Sequence, residues 1–318
     1  MFRLDVKEEE YYLKPMNCPE ACLVYGMKLR SYKDLPLRLS EIGRLHRNEL
    51  RGALGGLFRV RQITMDDAHI FCTREQIQQE ISGVLKMVKH AYDVFGFDLS
   101  FNLSTRPDNA MGSTELWNFA EQALENSLKA NKLHYALKPK EGAFYGPKID
   151  IMIKDALNRS WQMATIQLDM QMPERFELEY EGSDGKRHRP VMIHRAVYGS
   201  FERFIGILTE HFAGNFPFWL APVQLIVLPI TENQLGYGEI VHSQLLKRNY
   251  RAEIDFRSEK IGYKIREAEN RKIPYMVIVG EKEKSQNSVS VRQHTKGDIG
   301  VFGVDDFLKR LESEVNPL

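Results

Sequence analysis

Downstream of Thr73 the apolar residues fall at Ile77, Ile81, Val84, Leu85, Val88 and Tyr92, steps of three and four that lay one stripe along a helix. Thr73 and Gln76 have the spacing of a capping box, so the helix is expected over 74–94, ending before Gly96. Trp117, Ala120, Leu124 and Leu128 form a second such stripe and predict a helix beginning near Ser113, with Trp117 in the core. Elsewhere the period shortens to two. Residues 149–153 and 165–169 alternate, which brings their polar members together on one face of a sheet. Residues 37–39 and 58–61 read as strands on either side of an exposed loop, 50–56, that carries three glycines. Residues 191–194 form another strand, followed by a helix over 200–212. Grouped strands with helices outside the sheet predict an antiparallel α+β domain.

The loop 213–222, with two prolines and a glycine, marks a boundary, and the pattern changes after it. Residues 225–228 and 276–279 are uninterrupted apolar runs, the signature of strands buried on both faces. They alternate with helical stretches at 233–248 and 261–271 and with a strand at 252–256, which predicts a small α/β domain over 222–318.

Composition narrows the class. A net charge of +1 over 318 residues gives no global sign of a polyanion partner, so any nucleic-acid surface must arise from local clustering. Three cysteines without framework spacing fit a reducing compartment. Residues 1–14 are charged throughout, unlike a signal peptide, and no apolar run approaches the ~18 residues of a membrane span. A soluble cytoplasmic protein is the expectation.

Three scattered residues could hold a metal: Cys18 in Lys-Pro-Met-Asn-Cys-Pro, His69 in Asp-Asp-Ala-His-Ile-Phe and His194 in Val-Met-Ile-His-Arg-Ala. A Cys/His/His set leaves the fourth tetrahedral position open, as ligand-binding zinc sites require. Spacing alone argues weakly, since a buried thiol and two satisfied core histidines are the commoner explanation. The surrounding sequence adds weight. Arg47-Asn48-Glu49, Gly52, Gly56 and Arg59-Val60-Arg61, leading into Asp66-Asp67-Ala68-His69, resemble motif 2 of the class II aminoacyl-tRNA synthetases. Gly199-Ser200-Phe201-Glu202-Arg203-Phe204 resembles their motif 3. Lys14 to Pro19, Phe144 to Lys148, Thr165 to Asp169 and Leu220-Ala221-Pro222 narrow the likeness to the threonyl-tRNA synthetase family, from about residue 10 to the C-terminus.

That resemblance implies an α+β fold: a class II synthetase-like antiparallel sheet catalytic domain over 1–221, truncated at its N-terminus, followed by a small α/β anticodon-binding domain over 222–318. It implies activation of L-threonine by ATP with Mg2+, and transfer to tRNA(Thr). Arg47 and Arg203 would be catalytic, and Arg47, Glu49, Arg59, Gln162, Ser200 and Arg203 would bind ATP. The planar Arg47 guanidinium suits a bridge between carboxylate and α-phosphate. No Gly-x4-Gly-Lys-Ser/Thr loop is present to cradle phosphates, which leaves that work to arginines. One zinc ion per chain, on Cys18, His69 and His194, would read the amino and hydroxyl groups of threonine, with Asp67, Tyr145 and Gln167 seating the amino acid. Ser258, Glu283 and Arg292 align with anticodon-reading positions. The family's editing region and its motif 1, which builds the homodimer, are not in the sequence, so a weakened dimer is expected.

Several positions depart from the family pattern: Ile63 where phenylalanine is usual, Met65 for glutamine, Gly55 for histidine, Met163-Ala164 for Cys-Gly, and Ser258 for asparagine. Ile63 covers a base without aromatic stacking, which points to weaker ATP binding. A non-catalytic RNA-binding or regulatory relative is the alternative of a different class. Five intact residues, Arg47, Arg203, Cys18, His69 and His194, speak against it. A zinc hydrolase is disfavoured because no general base stands beside the histidines.

Overall fold

The computed structural model describes residues 1–315, in two compact units: Met1–Leu208 and the chain from Thr209 onward. The first is built on a seven-stranded sheet. Its order is Leu37–His46, Gln62–Cys72, Val191–Ala196, Ser160–Asp169, Lys148–Lys154, Ser100–Ser104 and Tyr135–Lys138. Every pair is antiparallel except the last, 100–104 with 135–138.

The helices Ile77–Asp93 and Thr114–Ala130 pack on one face of this sheet. Ile81, Val88, Leu124 and Leu128 are fully buried there, as their spacing predicts. The capping box also forms, with Thr73 N–H donating to Gln76 Oε1 at 2.9 Å, although the first turn, Arg74–Gln76, is a 3-10 helix. The opposite face carries the short helix Cys18–Gly26, whose buried positions Cys18, Ala21, Cys22 and Tyr25 follow helical spacing. Tyr25 packs on Phe71 with ring centroids 4.6 Å apart, and Cys22 packs on Met192.

One expected strand begins later than its sequence suggests. Residues 58–61 are not in the sheet, because Gly55 pairs back onto Arg59 and closes a tight turn ahead of Gln62–Cys72. Arg59 therefore sits on a turn.

The second unit is a five-stranded mixed sheet ordered Ala252–Ile254, Leu225–Pro229, Tyr275–Val279, Ser288–Gln293 and Gly297–Gly303. The first three strands are parallel and the last two antiparallel. Leu225, Val227, Val277 and Val291 join a core with Val241, Phe307 and Leu311, while Ile226, Leu228 and Met276 pack against Ala268 on the other face. Both faces are covered, which explains the unbroken apolar runs. Among the described residues no helix is long and apolar enough to cross a membrane.

Candidate active site

Strand register assembles the site. Pairing sets His69 opposite His194, His194 opposite Gln167, and Gln167 opposite Lys148, so one row crosses four strands. Side chains alternate along each strand, which adds Asp67 and Thr165 to the same face. The helix Cys18–Gly26 delivers Cys18 onto that face from its first turn.

Cys18 Sγ and one ring nitrogen from each histidine lie within 4.8 Å of one another, all buried. His194 Nε2 lies 3.0 Å from Asp169 Oδ2, with Cys18 beside the same ring. Burial opposes a charge on His194, but the Asp169 and Cys18 partners outweigh it and push the ring up to about 10. His69 goes the other way: burial first, then the neighbouring His194, push it down to about 4. His69 Nε2 has no hydrogen-bond partner, and the nearest carboxylate oxygen, on Asp67, is 3.8 Å away, too far for a bond. A neutral buried imidazole with an unpaired nitrogen, a second imidazole anchored on a carboxylate, and a thiol fit a tetrahedral zinc ion with one open position. Calcium and magnesium favour oxygen donors instead.

A cavity of about 430 Å³ opens on this face. Cys18, Asp67, Tyr145, Gln167 and His194 line it, as do Arg47, Gln162, Ser200 and Arg203. Tyr145 O–H donates to Gln167 Oε1 at 2.9 Å, and Gln167 Nε2 donates to Gly146 O at 3.2 Å, which fixes the amide. Arg47 donates through Nε to Pro15 O at 3.2 Å. Arg203 donates through Nε to Phe58 O at 2.9 Å and through Nη1 to Gln162 O at 3.2 Å, and lies 5.5 Å over the Trp161 ring. Burial, with Arg59 and Arg47 nearby, holds the Arg203 guanidinium below its usual range. Ser200 Oγ donates to Glu202 at 2.8 Å, and Gln162 Nε2 donates to Thr165 Oγ1 at 2.9 Å.

Glu49 and Arg59 do not line the cavity. They pair with each other, Arg59 Nη2 standing 2.8 Å from Glu49 Oε2. Of the positions that depart from the family pattern, Ile63, Met65 and Met163 line the cavity, Ala164 is buried, and Gly55 closes the turn with Arg59. Gly199 adopts φ +69°, and a Cβ there would lie 2.6 Å from Met163 O, so glycine is required where the chain enters the helix Phe201–His211.

In the second unit, Glu283 accepts from Gly280 N–H at 2.9 Å and from Ser290 Oγ at 2.8 Å. Arg292 lies two residues from Ser290 on the same strand face, and its buried Nε has no partner. Ser258 lines a separate, polar groove with Arg257, Glu259 and Lys260.

Sequence reasoning passed over Trp161 and Asn17, which touch the distant residues Arg203 and Asp67, and Asp155, whose carboxylate accepts from Trp161 six residues on. The alternation of 165–169 does not run back through 161–164, because the ladder shifts register at Met163 and leaves Trp161 and Met163 on the parity that is polar further along.

Residues 2–212 match the class II core domain of tRNA synthetases (G, H, P, S and T), and residues 224–314 match an anticodon-binding domain. Fold and cavity thus define a class II synthetase core joined to an anticodon-binding domain. A threonine–tRNA ligase of Caldanaerobacter subterraneus subsp. tengcongensis is 55% identical over 315 residues, 99% of this chain and 49% of that protein. One of Desulforamulus reducens is 53% identical over 315 residues, 99% of this chain and 50% of that protein. The chain spans about half the length of the curated relatives it matches. A crystal structure described as the RNA binding domain of threonyl-tRNA synthetase from Cryptosporidium parvum Iowa II superposes with TM-score 0.93 at 43% identity, covering 99% of this chain and 79% of that one. The chain belongs to the threonyl-tRNA synthetase family.

Proposed function

We propose that the chain activates L-threonine with ATP and Mg2+ to threonyl-adenylate and transfers the threonyl group to tRNA(Thr). The observation that carries this reading is one cavity lined both by the Cys18/His194 edge of the donor set, with Asp67 and Gln167, and by Arg47 and Arg203. In the first step a threonine carboxylate oxygen bonds to the α-phosphorus of ATP, the bond to the β-phosphate oxygen breaks, and pyrophosphate leaves. Such chemistry needs positioning and charge stabilisation more than covalent participation. Arg47 bridges carboxylate and α-phosphate, Arg203 covers adenine, and Gln162 and Ser200 complete the nucleotide subsite. Glu49 and Arg59 release each other to meet the adenine amino group and the outer phosphates.

Threonine and valine differ by a hydroxyl in place of a methyl, and apolar pockets separate such isosteres poorly. Cys18, His69 and His194 would hold a zinc ion, which would supply a Lewis acid for the amino and hydroxyl groups. Asp67 accepts the hydroxyl hydrogen, and Tyr145 and Gln167 seat the amino acid. We assign activation to residues 1–221 and anticodon reading to 222–318, through Ser258, Glu283 and Arg292.

Amino-acid-dependent ATP–pyrophosphate exchange by the purified chain tests the reading. Threonine, and serine with its hydroxyl, are expected to support exchange well above valine. No exchange with threonine overturns the activation step, and equal exchange with valine overturns the hydroxyl reading.

A further inference from the structure

Asn17 stands at the N-cap of the helix Cys18–Gly26, where an asparagine side chain ordinarily accepts a bond from the second or third helical N–H. Here it makes no capping bond. The side chain is turned inward, leaving the residue 1% exposed, and its Nδ2 donates to Asp67 Oδ2 at 3.0 Å. An ionised carboxylate only accepts, so the amide must present its NH2 group to Asp67. Its Oδ1 is buried and unpaired.

Space for this amide comes from Gly43. Glu41 pairs with Asp67 and Gly43 with Met65 in the antiparallel ladder, so residues 41, 43, 65 and 67 share the cavity face. A Cβ on Gly43 would lie 2.3 Å from Asn17 Nδ2 and 2.7 Å from Oδ1. It would also meet Glu41 Oε1 at 2.5 Å, but that is the tip of an exposed, flexible side chain that can swing away. The buried amide cannot. Gly43 does not adopt a positive φ, so conformational freedom does not account for glycine there.

We propose that Asn17, seated in the space that Gly43 leaves, is a positioning residue that fixes Asp67 for reading the amino-acid hydroxyl. The proposal deepens the function above and rests on it. With Oδ2 held by Asn17, Asp67 keeps Oδ1 for the ligand, and a methyl in place of the hydroxyl leaves that oxygen desolvated and unpaired. A carboxylate free to turn toward water would lose that discrimination.

The test uses the whole chain with Asn17→Ala, Gly43→Ala and both together. It reads kcat/KM for threonine, serine and valine in pyrophosphate exchange, and bound zinc by mass spectrometry. Each single variant is expected to lower the threonine-over-valine preference by about tenfold or more, through threonine and serine and not valine. Zinc content should be unchanged. The double variant should be no worse than Asn17→Ala, because the atoms that the new Cβ would strike are gone. A preference kept within about twofold, threonine and valine falling together, additive losses in the double variant, or loss of zinc would each overturn the proposal. Should Asn17→Ala fail to fold, Gly43→Ala and Asn17→Asp, which sets a second carboxylate against Asp67, decide the matter by the same ratio. An unsubstituted chain with no preference for threonine over valine would overturn the hydroxyl reading on which the proposal rests.

Discussion

Asp155→Asn should uncouple a turn from the nucleotide side of the cavity. The Asp155 carboxylate accepts from Leu157 N–H and Arg159 N–H, both at 2.9 Å, from Arg159 Nε at 2.6 Å, and from Trp161 Nε1 at 2.8 Å. Burial alone would raise its pKa, but the donors from Trp161 and Arg159 outweigh that and hold it down at about 2. A group whose folded pKa is depressed stabilises the fold above its unfolded pKa, and the gain is lost as pH falls through the folded value. From an ordinary carboxylate value near 4, the shift is worth at most about 2.5 kcal/mol at pH 7, with about half of that gone by pH 3. Asparagine keeps one acceptor oxygen and turns an NH2 toward the other donors. Urea unfolding should therefore show a loss of about 1–2 kcal/mol at pH 7 that shrinks by about half at pH 3. Trp161 packs on Phe58 at 5.0 Å and lies beneath Arg203, so KM for ATP should also rise. An unchanged urea midpoint at pH 7, or a difference that does not shrink in acid, would refute the account.

Arg47→Ala should lower adenylate formation by about 100-fold or more in single-turnover assays, the cost of one preorganised charge stabiliser. A loss under about threefold would assign the role to another group. Cys18→Ala should abolish stoichiometric zinc, measured by mass spectrometry on purified protein, because a His pair alone is a weak site.

What was legible in the sequence follows from how strongly each element is patterned. The helix Ile77–Asp93 could be read because five aliphatic residues, Ile77, Ile81, Val84, Leu85 and Val88, dominate its buried stripe. The helix Cys18–Gly26 could not, because it buries two cysteines, an alanine and a tyrosine while Leu23 and Val24 are exposed. The strand Ser288–Gln293 has two valines as its only apolar residues, too polar a pattern to stand out, and its turn relies on positive φ at Thr295 and Gly297. In the cavity, residues with short sequence signatures were found, and residues defined by a distant partner were not. Asn17 means nothing until Asp67 is beside it, and Trp161 means nothing until Arg203 lies on its ring.

The same contrast separates the arginines. Arg47 and Arg203 are both oriented through Nε on backbone carbonyls, of Pro15 and Phe58. A carbonyl fixes the plane of the guanidinium without cancelling its charge, so the positive field remains for a ligand. Arg59 is held instead by the Glu49 carboxylate, which offsets part of its charge. Arg203 carries the consequence in its depressed pKa, caused by burial and by two neighbouring cations. Binding a phosphate chain would relieve that repulsion, so the cavity is complete electrostatically only with an anion in it. A fold built solely to bind RNA through its other unit would gain nothing from setting Arg47 and Arg203 on one cavity.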